Sequence, residues 1–332
     1  MNLRPKILVI RFSAFGDIAM CLSVIRSFKK KYPLAQIYFL SRPFAADLFK
    51  AEDIHFIGAD LDKNFKGIKG VFELFNILKT YDFTHVADLH GVLRTHVLRL
   101  LFTLQNVNFR QISKGRWDKF WLSSKNRKIK KQLTTTHQRY AKVFNKLGFD
   151  FELDPVVIKK YSKYQNNAIG IAPFAKHNEK MYPLEKMEKV ALDLAESGYK
   201  IYLFGGGEKE KMILGAWAKK HPNIQSLVGK FSLEVELKKL SQMALLVSMD
   251  SANMHLASLM GVRVISIWGA THPFAGFLGD GQKMEDCIHL DLSCSPCSVF
   301  GNKPCYKKTL ECLEIDPSLV VQKIKKAMIS GD

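Results

Sequence analysis

Short apolar runs, continuous rather than alternating, recur along the chain with a helical stretch after each, and the series occurs twice. Lys6–Phe12, Ile37–Leu40, Ile54–Ile57 and His85–Leu89 read as strands, separated by helices over Ile18–Lys31, Val71–Thr80 and Val92–Leu104. Strands that are apolar on both faces belong to parallel sheets covered on each side by helices. A second series follows: strands Ala168–Phe174, Lys200–Gly205, Ile224–Val228, Leu245–Met249 and Arg263–Trp268, with helices near Leu184–Ser197, Lys209–Lys220, Leu233–Met243 and Met254–Met260. The expected architecture is therefore α/β, two doubly wound Rossmann-like domains in tandem. The polar stretch Tyr161–Asn167 is the expected linker, giving a basic N-terminal domain over 1–163 and a C-terminal domain over 168–315. Residues 316–332 read as a C-terminal helix opened by Asp316 as N-cap and Pro317 at N1, expected to pack back on the N-terminal domain.

Charge divides at the same place. The net charge of +19 is carried almost wholly by residues 1–165, which hold 30 basic and 13 acidic side chains, whereas 166–332 hold 20 and 18. The first half suits an anionic partner. A nucleic-acid-binding protein accounts for the total charge but not for its confinement to one half, so no nucleic-acid partner is expected. Between Arg110 and Lys131 nine basic residues mix with Trp117, Phe120 and Trp121 and a single acid, Asp118. That mixture suits the headgroup zone of an anionic membrane, or else a solvated charge run. No run approaches 18 uncharged apolar residues, and the first apolar run is cut short by Arg11 with Asp17 soon after. The reading is a cytoplasmic protein without a spanning helix.

In open parallel sheets, ligands bind outside the carboxyl ends of strands, where helix N-termini favour anions. The first such junction is Ser13-Ala14-Phe15-Gly16-Asp17; Asp17 is either a first-turn helix acid or a carboxylate poised as a general base. Asp250-Ser251-Ala252-Asn253-Met254-His255 ends a strand with small residues before a helix, which suits a diphosphate. His255 either reaches that site or is an interior histidine. Gly205-Gly206-Gly207-Glu208 is a third, weaker junction, and the loop Ala172–Pro183 carries Lys176 and Lys180 above a strand end.

Taken in order, Ser13-Ala14-Phe15-Gly16-Asp17, Asp88-Leu89-His90-Gly91-Val92-Leu93-Arg94-Thr95, Lys180-Met181-Tyr182-Pro183 and Asp250-Ser251-Ala252-Asn253-Met254-His255-Leu256-Ala257 resemble the ADP-heptose:lipopolysaccharide heptosyltransferase family, glycosyltransferase family 9. The resemblance spans nearly the whole chain. It implies a GT-B fold with an acceptor-binding N-terminal domain, a nucleotide-sugar-binding C-terminal domain and a cleft between them. The implied reaction is inverting transfer of a heptose from ADP-heptose to a lipid-linked, anionic inner-core acceptor, on the inner face of the inner membrane. Asp17 then falls at the catalytic base. Lys180, Glu208 (with Glu210 nearby), Asp250, Ser251, Ala252 and His255 fall on the donor side, Tyr182 taking the aromatic place and Ala252 standing where the family usually has Gly. Ser13, Gly16, Arg94, His137 and Arg139 fall on the acceptor side. A different nucleotide sugar or glycan acceptor on the same fold is the alternative.

No cofactor is expected. Asp60-Leu61-Asp62 spells an Asp-x-Asp metal motif but lies in the acceptor half, so metal-independent transfer is expected. Cys294, Cys297, Cys305 and Cys312 fall within 19 residues; the first pair has zinc-knuckle spacing, and structural zinc, disulfides and packed thiols are the three readings.

Overall fold

The computed structural model describes residues 4–126, 128–159 and 166–330. Most of the expected linker and Arg127 lie outside the described residues. The chain divides into two compact units, one of 1–114 with 136–155 and the other of 115–135 with 156–332.

The first unit holds a five-stranded parallel sheet. Its strands are β1 (Lys6–Ile10), β2 (Gln36–Ser41), β3 (His55–Gly58), β4 (His85–Asp88) and β5 (Asn108–Gln111), in the order β3-β2-β1-β4-β5. Around it run α1 (Phe15–Lys31), α2 (Gly67–Leu78), α3 (Leu93–Leu104) and, returning to this unit after an excursion, α5 (Thr136–Lys146). Strand β1 is central because Ile7, Leu8, Val9 and Ile10 are apolar on both faces; all four are fully buried. Leu8 and Ile10 pack with Leu74, Phe75 and Leu78 of α2 and with Leu98 and Phe102 of α3 in one core.

In the second unit six parallel strands follow the order β11-β10-β9-β6-β7-β8: β6 (Ala168–Ala172), β7 (Lys200–Leu203), β8 (Ile224–Ser226), β9 (Leu245–Met249), β10 (Arg263–Ile267) and β11 (Cys287–Ile288). Its helices include α6 (Leu184–Glu196), α7 (Gly207–Ala218), α8 (Leu233–Leu240) and α9 (Ala252–Leu259). In both sheets the strand order reverses beside the first strand, between β1 and β4 in one and β6 and β9 in the other. Ligand crevices open at such switch points.

Two features depart from the sequence reading. The C-terminal helix α10 (Pro317–Ser330) packs in the second unit's own core: Val320, Val321, Ile324, Ala327 and Met328 form an i, i+1, i+4, i+7, i+8 face buried with Met187, Val190 and Leu194 of α6. Asp316 does cap it, its Oδ1 accepting the Ser318 N–H at 2.8 Å. The basic stretch also crosses between units, since Gly115–Thr135, including α4 (Arg116–Leu122), clusters with the second unit rather than with the half that surrounds it in sequence. Leu122 and Leu133 bury against Ala275 there, and the Leu133 N–H bonds the Phe274 carbonyl at 2.9 Å. Gly276 makes that approach possible. It sits at φ 82°, and a Cβ would lie 2.8 Å from the Thr134 carbonyl oxygen.

Candidate functional site

In the first unit the chain leaves β1 through Arg11 and enters α1 with Asp17 in its first turn. Asp17 Oδ2 pairs with Arg11 Nη2 at 2.6 Å and accepts the Ala14 N–H at 3.1 Å, so the carboxylate does reach back to the helix start as a first-turn acid should. Its other oxygen, Oδ1, meets, among the described residues, the Tyr140 hydroxyl alone, at 3.4 Å. Burial pushes the Tyr140 phenol far up, so that hydroxyl stays protonated and donates. Arg11 is fixed in turn by donating to the carbonyls of Ser13 and Leu89. One carboxylate oxygen is thus tied down and the other keeps lone-pair capacity, on a side chain still one-quarter exposed. A hydroxyl group could lose its proton to Oδ1.

At the β1/β4 switch point, a cavity of about 600 Å³ opens within this unit. Ser13 and Arg94 line it, together with Phe12, Arg42, His90 and Leu93. Arg42 is held by Asp62 at 2.6 Å, whereas the half-buried Arg94 donates to the Leu61 carbonyl at 3.4 Å and, among the described residues, meets no carboxylate. Gly16 is buried in α1, and His137 and Arg139 are buried in α5, which packs on α1. Arg139 Nη1 donates to the Ser113 carbonyl at 3.3 Å. The Asp-x-Asp spelling is used up locally: Asp60 Oδ1 accepts the N–H groups of Asp62 and Lys63, and Asp62 serves Arg42.

His90 was not among the residues singled out, although it stands in a motif that was. The turn after β4 forms around buried Asp88, whose Oδ1 accepts the N–H groups of His90 and Gly91 while Gln111 Nε2 holds Oδ2 at 2.6 Å. Nδ1 of His90 accepts the Phe12 N–H at 3.4 Å, which leaves Nε2 as the imidazole's donor. Burial, with Arg11 and Lys114 nearby, lowers His90 to about 3, and burial with His289 lowers His272 to about 4. Unfolded imidazoles titrate near ~6.5. Below that the unfolded chain binds more protons, so stability falls as pH falls toward about 4, by at most about 1.4 kcal/mol per pH unit per histidine. Denaturant titrations at several pH values should show His90→Gln flattening this fall; an unchanged slope would reject a neutral His90.

In the second unit the β6/β9 switch point brings Lys180 and Asp250 together at 2.8 Å, with side chains 14% and 7% exposed. Asp250 directly follows β9, and Lys180 closes the 3-10 turn Asn178–Lys180 in the loop after β6. The lysine stem runs over Gly301, where a Cβ would lie 2.3 Å from Lys180 Cγ. Ser251 stands at the N-cap position of α9 without a capping bond, its hydroxyl instead 3.1 Å from that of Ser248. Ala252 opens α9 in ordinary helical backbone, so the residue that stands for Gly carries no left-handed strain. His255 is buried one turn in. The free N–H groups of this helix start and the Lys180 ammonium can together balance a diphosphate. Tyr182 is instead structural: it is fully buried, and its hydroxyl donates to the Ile315 carbonyl at 2.7 Å. Glu208 lies in solvent beside Lys211, while Glu210 turns back to accept the Gly206 N–H at 2.7 Å.

Much of the basic stretch is occupied by contacts inside the second unit. Lys128 donates to the carbonyls of Cys294 and Pro296, Lys130 pairs with Asp291, Lys119 lies over the Phe277 ring and Lys125 over that of Tyr306. Trp117 and Phe120 stay exposed. The four late cysteines are free thiols, and among the described residues no three metal-capable side chains gather into a site. Burial lifts Cys312 to about 12. Cys305 goes the other way: against the effect of burial, the N–H groups of Leu310, Lys307, Thr309 and Lys308 hold it below the ordinary thiol range.

Residues 71–304 match the model of glycosyltransferase family 9 (heptosyltransferase). The lipooligosaccharide heptosyltransferase 2 of Campylobacter jejuni is 25% identical over 192 residues, covering 55% of this chain and 58% of that protein. The chain thus aligns with little more than half the length of that relative. The lipopolysaccharide heptosyltransferase 1 of Campylobacter coli is 26% identical over 87% of this chain and 93% of its own. Among solved structures, the ADP-heptose LPS heptosyltransferase II of E. coli superposes with a TM-score of 0.68 at 16% identity, covering 97% of this chain and 98% of that one. At that identity the likeness establishes the fold, the GT-B class with its two parallel sheets.

Proposed function

The chain belongs to glycosyltransferase family 9, and from that premise we propose that it transfers a heptose from ADP-heptose to a lipid-linked, anionic inner-core acceptor of lipopolysaccharide, with inversion. The observation that carries the reading is Asp17, anchored through Oδ2 by Arg11 and Ala14 with Oδ1 left for a proton. The first unit holds the acceptor, Arg94 facing its anionic group. An acceptor hydroxyl attacks the anomeric carbon opposite the ADP leaving group and gives its proton to Asp17. The bond to ADP breaks, and Lys180 with the α9 N–H groups stabilises the charge that gathers on the diphosphate, so the transfer needs no metal. Ser251, Ala252 and His255 shape that cradle, and Glu208 takes the ribose. Relatives named as heptosyltransferases support the sugar, and the E. coli neighbour named for ADP-heptose supports the donor. The reaction then runs on the inner face of the inner membrane. Among the described residues no helix is long and apolar enough to cross a membrane.

A thermal-shift panel tests the donor. A ligand at ~100 times its Kd adds about 2.7 kcal/mol to the stability of the folded state. ADP and ADP-heptose should raise the melting temperature while UDP and GDP compounds leave it nearly unchanged, and ADP release should need an inner-core acceptor. Equal shifts with all nucleotides, or a selective shift with another base, would remove ADP-heptose from the reading.

A further inference from the structure

Helices α2 and α3 of the first unit turn to solvent the kind of side chain a helix ordinarily buries. On α3, Leu93, Leu100 and Leu104 are turned outward and, with the partly buried Val97 between them, recur at intervals of four, three and four as one stripe along its length. Leu93, Leu100 and Leu104 are 82%, 63% and 71% exposed, while Leu98 and Phe102 occupy the core. On α2, which packs against α3, Ile68 and Phe72 stand one turn apart and exposed, while Val71, Leu74 and Phe75 are buried. The first turns of both helices line the cavity at the β1/β4 switch point, so exposed Ile68 and Leu93 stand at its rim.

Around this apolar surface cations outnumber acids: Asp60 and Asp62 beside α2 are engaged by their own turn and by Arg42, and Asp82 follows the end of α2. Lys63, Lys66, Lys69, Lys79, Arg94 and Arg99 lie on or beside the two helices, and among the described residues none pairs with a carboxylate. Glu73 is the one acid within α2 and α3. A second copy of the chain would set these cations against their own images. A surface that is apolar beneath and anionic at its edge complements both features at once.

We infer that the α2–α3 face docks on an anionic lipid bilayer, with the α3 leucine stripe, Ile68 and Phe72 entering the interfacial zone and the cations meeting head groups. The cavity then opens toward the lipid that carries the acceptor; this last step rests on the proposed function, whereas the docking does not. This surface is distinct from residues 110–131, whose lysines are largely occupied within the second unit.

Cosedimentation of the full chain with vesicles tests it, using phosphatidylglycerol mixed into phosphatidylcholine against phosphatidylcholine alone. The parent should bind the anionic vesicles selectively and lose binding as salt rises. The pair Leu100→Glu with Leu104→Glu should lower partitioning by about tenfold or more. Replacing Lys66 and Lys69 by Gln should lower it by about fivefold per lysine. All four positions are exposed, so melting temperatures should stay at the parent value. Parent binding indifferent to phosphatidylglycerol, or leucine variants that bind like the parent, would overturn the inference. So would a parent dimer that the leucine variants dissolve without a change in vesicle binding. ADP release on a delipidated acceptor separates the two claims: docking without any turnover upholds the surface and removes the transfer reading.

Discussion

Asp17→Asn is expected to lower kcat by about 10²–10⁴-fold while the affinity for the nucleotide sugar stays near the parent value. The change preserves shape, and the amide oxygen of Asn can still accept the Ala14 N–H that the carboxylate accepts at 3.1 Å. What it removes is the charge opposite Arg11 and the capacity of Oδ1 to take a proton. Arg11 keeps the carbonyls of Ser13 and Leu89, so the variant should fold with a lowered melting temperature. Tyr140→Phe is the companion. It deletes the 3.4 Å contact to Oδ1 without touching the charge, and turnover should then stay within about tenfold of the parent. ADP release measured on both variants decides the matter. A folded Asp17→Asn protein turning over at nearly the parent rate would leave this carboxylate as a helix-start acid and no more.

The strands that the sequence made legible are those buried on both faces. Leu245–Met249 is read with its observed limits because five consecutive apolar or small residues leave no alternative, and all five are buried. Strand β5 escaped notice because Asn108-Phe109-Arg110-Gln111 is an edge strand with one buried residue, and β11 because it is two residues long. The domain limits misled for a different reason. Charge and apolar periodicity are local properties, while the return of Gly115–Thr135 to the second unit depends on partners such as Phe274 and Gly276, some 140 residues away in the chain. The α10 helix was visible as amphipathic, but an apolar face does not name what it covers. For the site, Asp17 and Asp250 stood out through their position after strands, while Lys180 was set apart from Lys176 only by the family resemblance. The Lys180–Asp250 ion pair and the tautomer-fixing contact of His90 did not, because both join segments about 70 residues or more apart.

That ion pair sets up the second large effect. Lys180→Ala strands the Asp250 carboxylate, 7% exposed, and the loss of one partner of a buried pair costs about 3–5 kcal/mol. For a unit of this size the melting temperature should fall by about 6–20 °C. Lys180→Met combined with Asp250→Asn removes both charges and keeps the volume, so most of that loss should be recovered. Binding separates a structural lysine from one that also holds the donor. A lysine donating to a phosphate contributes about 1.5–3 kcal/mol, so the double variant should recover its stability and still bind ADP about 10- to 100-fold more weakly than the parent. Asp250→Asn alone frees the ammonium from its carboxylate and should bind ADP at least as tightly as the parent. If calorimetric titration gave the double variant the parent's affinity, Lys180 would be a structural partner of Asp250, and the positive charge facing the diphosphate would have to come from the α9 N–H groups alone.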